Sequence, residues 1–424
     1  MQTLPHPPLT QMKLVYSATS PVSGATAINR KTFDEVMIAT YAPSAMIPVR
    51  GLGLDVWDQQ GKRYLDFTSG IGVTGLGHGH PEVAAALTAQ AGLLWHTGNG
   101  YTTEPALQLA RSIVSTTFAD RVFFCNSGAE ANEAAFKLAR RHALLTHGAG
   151  KSRIVSCVNS FHGRTLFAVS VGGQRQYRSG FGPLPQKIDH IPFNDCEAAL
   201  NAISGDVCAV VVETIQGESG VLPASAEFLR TLRTCCNQHQ ALLIFDEVQT
   251  GMGRTGTLFS YTDTGITPDI LTAAKALGNG FPIAAMITSN KVAQAFQPGS
   301  HGSTYGGNPL GAAVAQSVLD IIKHADFLKR VKEAGIKLHT ALQAIVSDYP
   351  HIFSKVRGKG LMLGMVLSNA YAGRSQEVVR SAEKSGLMLL IAGPNVVRFL
   401  PALTVSDAQI EEASVLLRQA LNTL

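Results

Sequence analysis

The chain has 424 residues, too many for one ordinary core, so a large and a smaller domain are expected. Apolar residues make up 45% and charged residues 15%, which excludes a disordered chain. The net charge of +5 comes without any Lys/Arg block able to follow a phosphate backbone, which argues against nucleic acid and for small acidic substrates.

Residues 1–30, rich in Pro, Thr and Ser, read as an N-terminal arm. They lack the continuous apolar core of a signal peptide, and no run in the chain is long enough to span a bilayer. Six scattered cysteines, at 125, 157, 196, 208, 235 and 236, form no C-x-x-C pair and read as reduced thiols of a cytoplasmic protein. "VRGLGLDVWDQQGKRYLDF" predicts a hairpin turning at Gln60-Gly61, within a segment, 31–75, expected to join the small domain. A Gly/His loop then leads into a helix opened by Pro81 and Glu82.

From about 104 to 290, helical stretches alternate with short runs such as "RVFFC", "RIVSCV", "VCAVVVE" and "ALLIFD". Runs apolar on both faces suit a mainly parallel sheet covered by helices, so the fold class is α/β, with a large domain at 76–310. Beyond it, long amphipathic helices mix with short strands, which predicts a smaller α+β domain over 311–424.

In such a sheet ligands lie outside the carboxyl ends of the strands. There the chain places "NSGAE" at 126–130, "NSFHGR" at 159–164, Glu213 and "QGE" at 216–218, "DEVQ" at 246–249, and Lys275. Ser127 and Glu130 have capping-box spacing; Gly128 and Ala129 beside them leave room for an anion at the helix N-terminus. Read alone, that stretch is as good a plain cap as a phosphate cradle. Lys275 stands in an apolar, Gly-rich setting, where a lysine can become a nucleophile toward a carbonyl. Cradle, strand-end Phe161, Asp246 and Lys275 together suggest pyridoxal 5'-phosphate, with Lys275 bonded to it and Asp246 facing its ring nitrogen. A carboxylate facing a cationic ring is compensated for its burial.

Several stretches carry a resemblance: "VFFCNSGAEANEAAFKLAR", "SFHGRT", "QGESG", "LLIFDEVQTGMGRTG", "PDILTAAKALGNGFPI", "GSHGSTYGGNPLG" and "NVVRFLPAL". From about residue 31 onward the chain resembles the class III aminotransferases of the fold-type I pyridoxal phosphate enzymes, and among them the branch acting on N-acetylornithine and N-succinylornithine.

The resemblance implies transfer of the terminal amine of an acylornithine to 2-oxoglutarate in arginine metabolism, giving a semialdehyde and glutamate. It assigns the phosphate to Gly128 and Ala129 with Ser127 beside them, the ring face to Phe161 and the ring nitrogen to Asp246. Val248 would pack under the ring, with Gln249 near the phenolic oxygen. Glu247 is grouped with these, although a structural role is read for it before a catalytic one. Thr304 would reach the phosphate of a neighbouring subunit and Ser303 the substrate there, so a homodimer is implied. Arg164 would take the distal carboxylate of either substrate. Arg398 would take the one carboxylate that only glutamate brings beside the reacting amine, with Glu218 as a gate. From the residues alone, Arg398 reads rather as a structural ion pair. Tyr41 matches a substrate-side tyrosine, and a packing role suits it as well.

The family's "EPIQGEGG" is here "ETIQGESG", with Thr214 and Ser219, a change expected to loosen the loop while leaving activity. No metal site is expected. The competing readings are another ω-amino acid transaminase, acting on ornithine or 4-aminobutyrate, and a silent binding homologue; Lys275, Asp246 and Arg164 argue against the latter.

Overall fold

A computed structural model describes residues 28–424; most of the expected arm, residues 1–27, lies outside the described residues. By contacts the chain divides into two compact units, one ending at Pro48 and the other running Val49–Leu424. The described part of the first holds one helix, Arg30–Val36, whose capping box pairs Asn29 with Thr32.

The second unit is built on a seven-stranded sheet. Its order is Arg121–Cys125, Ala284–Thr288, Ile270–Ala273, Leu242–Asp246, Val207–Val212, Arg153–Cys157 and Ile188–Ile191. Leu242–Asp246 pairs in parallel with both neighbours, and only Ala284–Thr288 runs antiparallel to the strands beside it. Every residue of Val207–Val212 and Leu242–Asp246 is buried. That explains their unbroken apolar texture, since helices cover both faces. The helix Gly128–His147 packs across five of these strands.

The expected hairpin is three strands: Pro48–Leu52, Asp55–Asp58 and Arg63–Asp66. Arg63–Asp66 also takes Leu387–Met388 as a parallel partner, tying this segment to the C-terminal part of the chain. There, Phe353–Lys359, Met362–Leu367, Val396–Phe399 and Leu390–Ile391 form an antiparallel sheet. The helix Pro309–Ile322, which runs across the expected boundary at 310/311, packs against the helices Pro81–Ala91 and Glu104–Thr116. Buried Arg254 ties distant stretches of this unit together, its Nη1 donating to Leu361 O at 3.1 Å and Pro401 O at 2.5 Å.

All six cysteines are free and five are buried. Among the described residues no helix is long and apolar enough to cross a membrane.

Candidate active site

The carboxyl ends of the parallel strands open into one cavity of about 480 Å³. Residues from well-separated chain segments line it, including Val73, Gly128, Phe161, Glu213, Asp246 and Lys275.

Ser127 caps the helix Gly128–His147, its hydroxyl accepting from Glu130 N at 3.3 Å. The Glu130 carboxylate returns the bond, accepting from Ser127 N at 2.9 Å and Asn126 N at 2.7 Å. The box leaves the N–H groups of Gly128 and Ala129 without a partner among the described residues, at the positive end of a 20-residue helix. A Cβ on Gly128 would lie 2.8 Å from Val248 Cγ1, so only glycine lets the cradle close over Val248. The cap therefore does not compete with an anion for these N–H groups, since the two would use different atoms.

Asp246 is held by three donors. Asn132 Nδ2 and His162 Nδ1 each lie 2.8 Å from Oδ2, and Val248 N donates to Oδ1 at 3.0 Å. A carboxylate only accepts, so His162 carries its proton on Nδ1. Burial works against charging His162, but the bond and charge of Asp246 prevail and its pKa is raised. Thr272 orients Asn132 by donating to its Oδ1 at 2.9 Å. Neither Asn132 nor His162 had been given a role from the sequence.

Lys275 follows the strand Ile270–Ala273 with φ at +48°, a left-handed backbone that costs a non-glycine residue about 1–3 kcal/mol. Its amine makes no ion pair among the described residues. Burial pushes its pKa down to about 8, with Glu218 pulling the other way.

Phe161 at the cavity wall meets Tyr177 edge-on at 6.0 Å, and the Arg164 guanidinium lies 3.6 Å from the Tyr177 ring. Arg164 is exposed, lines the cavity and has no carboxylate partner among the described residues. Arg398 is the opposite, a buried guanidinium whose Nη1 donates to Glu218 Oε1 at 2.7 Å. Burial raises the pKa of Glu218, but the Arg398 charge outweighs it and holds the carboxylate below its usual range. Glu213 accepts from Phe161 N at 3.2 Å and Gly217 N at 3.4 Å, and burial pushes its pKa up to about 8.

Glu247 does not line the cavity: its carboxylate accepts from Ser260 N at 2.6 Å and Tyr261 N at 2.7 Å. It continues the strand's alternation, so it points away from the face that Asp246 presents. Ser303 and Thr304 do not line this chain's cavity either; Ser303 Oγ accepts from Gly306 N at 3.0 Å, and Thr304 is exposed. The Thr214 and Ser219 hydroxyls each tether their stretch of chain. Thr214 donates to Ser260 Oγ at 3.0 Å, and the Ser219 hydroxyl donates to Asn159 O. Tyr41 belongs to the unit ending at Pro48, where it is exposed.

An anion cradle, a flat wall, a buried carboxylate opposite and an unpaired amine fit pyridoxal phosphate group by group. Comparisons with known proteins agree. Residues 37–421 match the family model for class III aminotransferases. The chain is 54% identical over 397 residues to an acetylornithine aminotransferase of Pseudomonas putida, covering 94% of this chain and 98% of that one. It is 52% identical over 395 residues to an acetylornithine/succinyldiaminopimelate aminotransferase of Yersinia pestis, covering 93% and 97%. An ornithine aminotransferase of Toxoplasma gondii, with pyridoxal phosphate partly occupying its active site, superposes with a TM-score of 0.88. That protein is 31% identical, with 92% of this chain and 93% of that one covered. The chain belongs to the class III aminotransferases, fold-type I enzymes that depend on pyridoxal phosphate.

Proposed function

We propose that the chain moves the terminal amine of N2-acetyl-L-ornithine or N2-succinyl-L-ornithine to 2-oxoglutarate. The products are the N-acylglutamate 5-semialdehyde and L-glutamate, within arginine metabolism. One observation carries this reading above the others: Arg164 is open at the cavity wall while Arg398 is closed by Glu218.

The two substrates differ in where they hold charge. Glutamate has a carboxylate beside its reacting amine and a second one distally; an acylornithine has only the distal one. Arg164 takes the distal carboxylate of either, unpaired and steadied by Tyr177. Arg398 is needed only for glutamate, and a buried guanidinium left alone would be costly, so Glu218 covers it in the other half of the cycle.

Bound pyridoxal phosphate supplies an electron sink for the carbanion formed beside the reacting nitrogen. Gly128 and Ala129 N–H groups would hold its phosphate, with Phe161 and Val248 against the ring. Asp246, oriented by His162 and Asn132, would hold a proton on the ring nitrogen. The Lys275 amine, its pKa lowered to about 8, would anchor the cofactor and, once released, carry a proton to and from the substrate carbon.

The enzyme acts as a cytoplasmic homodimer in this reading. Thr304 would serve the phosphate site of a second copy, with Ser303 at the substrate there. The exposed apolar side chains Leu93, Leu94, Trp95, Tyr101 and Tyr305 support such a partner.

The test is kcat/KM for N-acetylornithine, N-succinylornithine, ornithine and 4-aminobutyrate, each with 2-oxoglutarate. An acylornithine is expected to lead. A clear lead for ornithine or 4-aminobutyrate overturns the substrate assignment.

A further inference from the structure

The closed pair of Glu218 and Arg398 has a third member. Gln249 donates from Nε2 to Glu218 Oε1 at 3.2 Å and accepts at Oε1 from Arg398 Nη1, also at 3.2 Å. Its amide therefore bridges the gate, with one end on each partner, and keeps a second Nε2 hydrogen free of it.

The arginine is unevenly served. Nη1 carries two hydrogens yet faces three acceptors: Glu218 Oε1 at 2.7 Å, Gly217 O at 3.0 Å and Gln249 Oε1. Nη2 has one long bond, 3.4 Å to Glu218 Oε2, and Nε has no partner among the described residues. The guanidinium keeps donor capacity for an incoming carboxylate, so Glu218 is not locked to it by two good bonds.

Gly217 makes the arrangement possible. A Cβ there would lie 2.2 Å from Gln249 Oε1, displacing the amide from between its two partners.

We propose that Gln249 is the specificity-setting third member of the gate. Its Nε2 holds Glu218 on Arg398 when a substrate brings one carboxylate. Its Oε1 stays on Arg398 when a dicarboxylate displaces Glu218. This rests on the reading of Arg398 as the second carboxylate site. Loss of the amide removes a bond to Glu218 that exists only in the closed state, whereas the bond to Arg398 is lost from both states alike. The closed state is thus weakened selectively.

The experiment is calorimetric binding of two unreactive ligands to the full-length enzyme carrying its cofactor. Glutarate has two carboxylates and needs the gate open. N-acetylnorvaline has one and does not. Gln249→Leu is expected to tighten glutarate by on the order of tenfold, the factor one hydrogen bond to a charged group is worth, while N-acetylnorvaline stays put. Gly217→Ala, which leaves every hydrogen-bonding group in place, is expected to shift glutarate the same way. Gln249→Glu puts a permanent anion beside Arg398 and is expected to weaken glutarate. A contact serving the cofactor alone would move both ligands together. The inference is overturned if glutarate is unchanged or weaker in Gln249→Leu, or if both ligands shift equally. Arg398→Gln separates the two levels. If it leaves glutarate binding intact, the second carboxylate site is misassigned and the inference falls with it. If glutarate binding falls there but Gln249→Leu does nothing, only the inference falls.

Discussion

His162 Nδ1 donates to Asp246 Oδ2 over 2.8 Å, and both side chains are closed off from solvent. With Asn132 on the same oxygen, the pair fixes one carboxylate oxygen in place, leaving Oδ1 on Val248 N. A carboxylate that must hold a proton on a ring nitrogen gains from such fixing, because it spends nothing on reorganising at the moment of reaction.

Asp246→Ala is therefore expected to keep some cofactor and lose nearly all turnover. His162→Gln removes the imidazole partner but not the carboxylate. It is expected to cost on the order of 10²-fold in kcat, the scale of a small misplacement at the reacting centre. Absorption spectra across pH check this, since the band of the bound cofactor should titrate at a shifted pH in the variant. A spectrum and kcat unchanged from the parent enzyme would remove His162 from the account.

Gly128→Ala tests the cradle. The added methyl would meet Val248 Cγ1 at 2.8 Å and Cγ2 at 2.9 Å. Overpacking of this kind costs about 1–3 kcal/mol, or roughly 5- to 150-fold in cofactor affinity if Val248 yields into the ring's space. Val248→Ala added to Gly128→Ala should restore part of that affinity. Equilibrium dialysis of cofactor against each variant measures it.

Much of this site was legible in the chain. "ALLIF" followed by Asp246 marks a buried strand ending in acid, and the structure places that carboxylate at the cavity. Lys275 stood out by its uncharged surroundings for the same reason its pKa is low. The supports of Asp246 were not legible. Asn132 lies 114 positions away and looks like any helix residue, and only the folding of the Gly128–His147 helix across the sheet brings it in. Glu247 was grouped with the cofactor residues because it adjoins Asp246, yet the two-residue period of a strand sends neighbours to opposite sides. The partners of the Thr214 and Ser219 hydroxyls were not legible either, because a hydroxyl's partner is a tertiary fact.

Lys275 should titrate well below an ordinary lysine. Burial lowers its pKa from 10.5 to about 8, so the free amine forms as pH rises through about 8. In the cofactor-free enzyme, the pH dependence of acylation at Lys275, followed by peptide mapping, is expected to inflect there. Glu218 raises this pKa, so Glu218→Gln should move the inflection lower still. An inflection near 10.5 in both would contradict the assigned surroundings.

Glu213 links pH to stability. Burial raises its pKa in the folded protein from 4.5 to about 8, so the fold favours the protonated carboxyl. Its favourable contribution is undiminished below about 4.5 and is lost as pH rises toward 8. Glu213→Gln cannot ionise. Its melting temperature relative to the parent is expected to climb steadily across that window, and a flat difference from pH 4.5 to 8 would reject the buried-acid picture.

The most direct test of the central claim, that Arg164 serves both substrates and Arg398 only one, is single-turnover kinetics of the two half-reactions in Arg398→Gln. The acylornithine half-reaction is expected to run close to the parent rate. The glutamate half-reaction should lose about 2–5 kcal/mol of transition-state binding, the scale for truncating one partner of a buried charge pair. Arg164→Gln should impair both. Equal losses in the two half-reactions of Arg398→Gln, or none in either, would contradict the account.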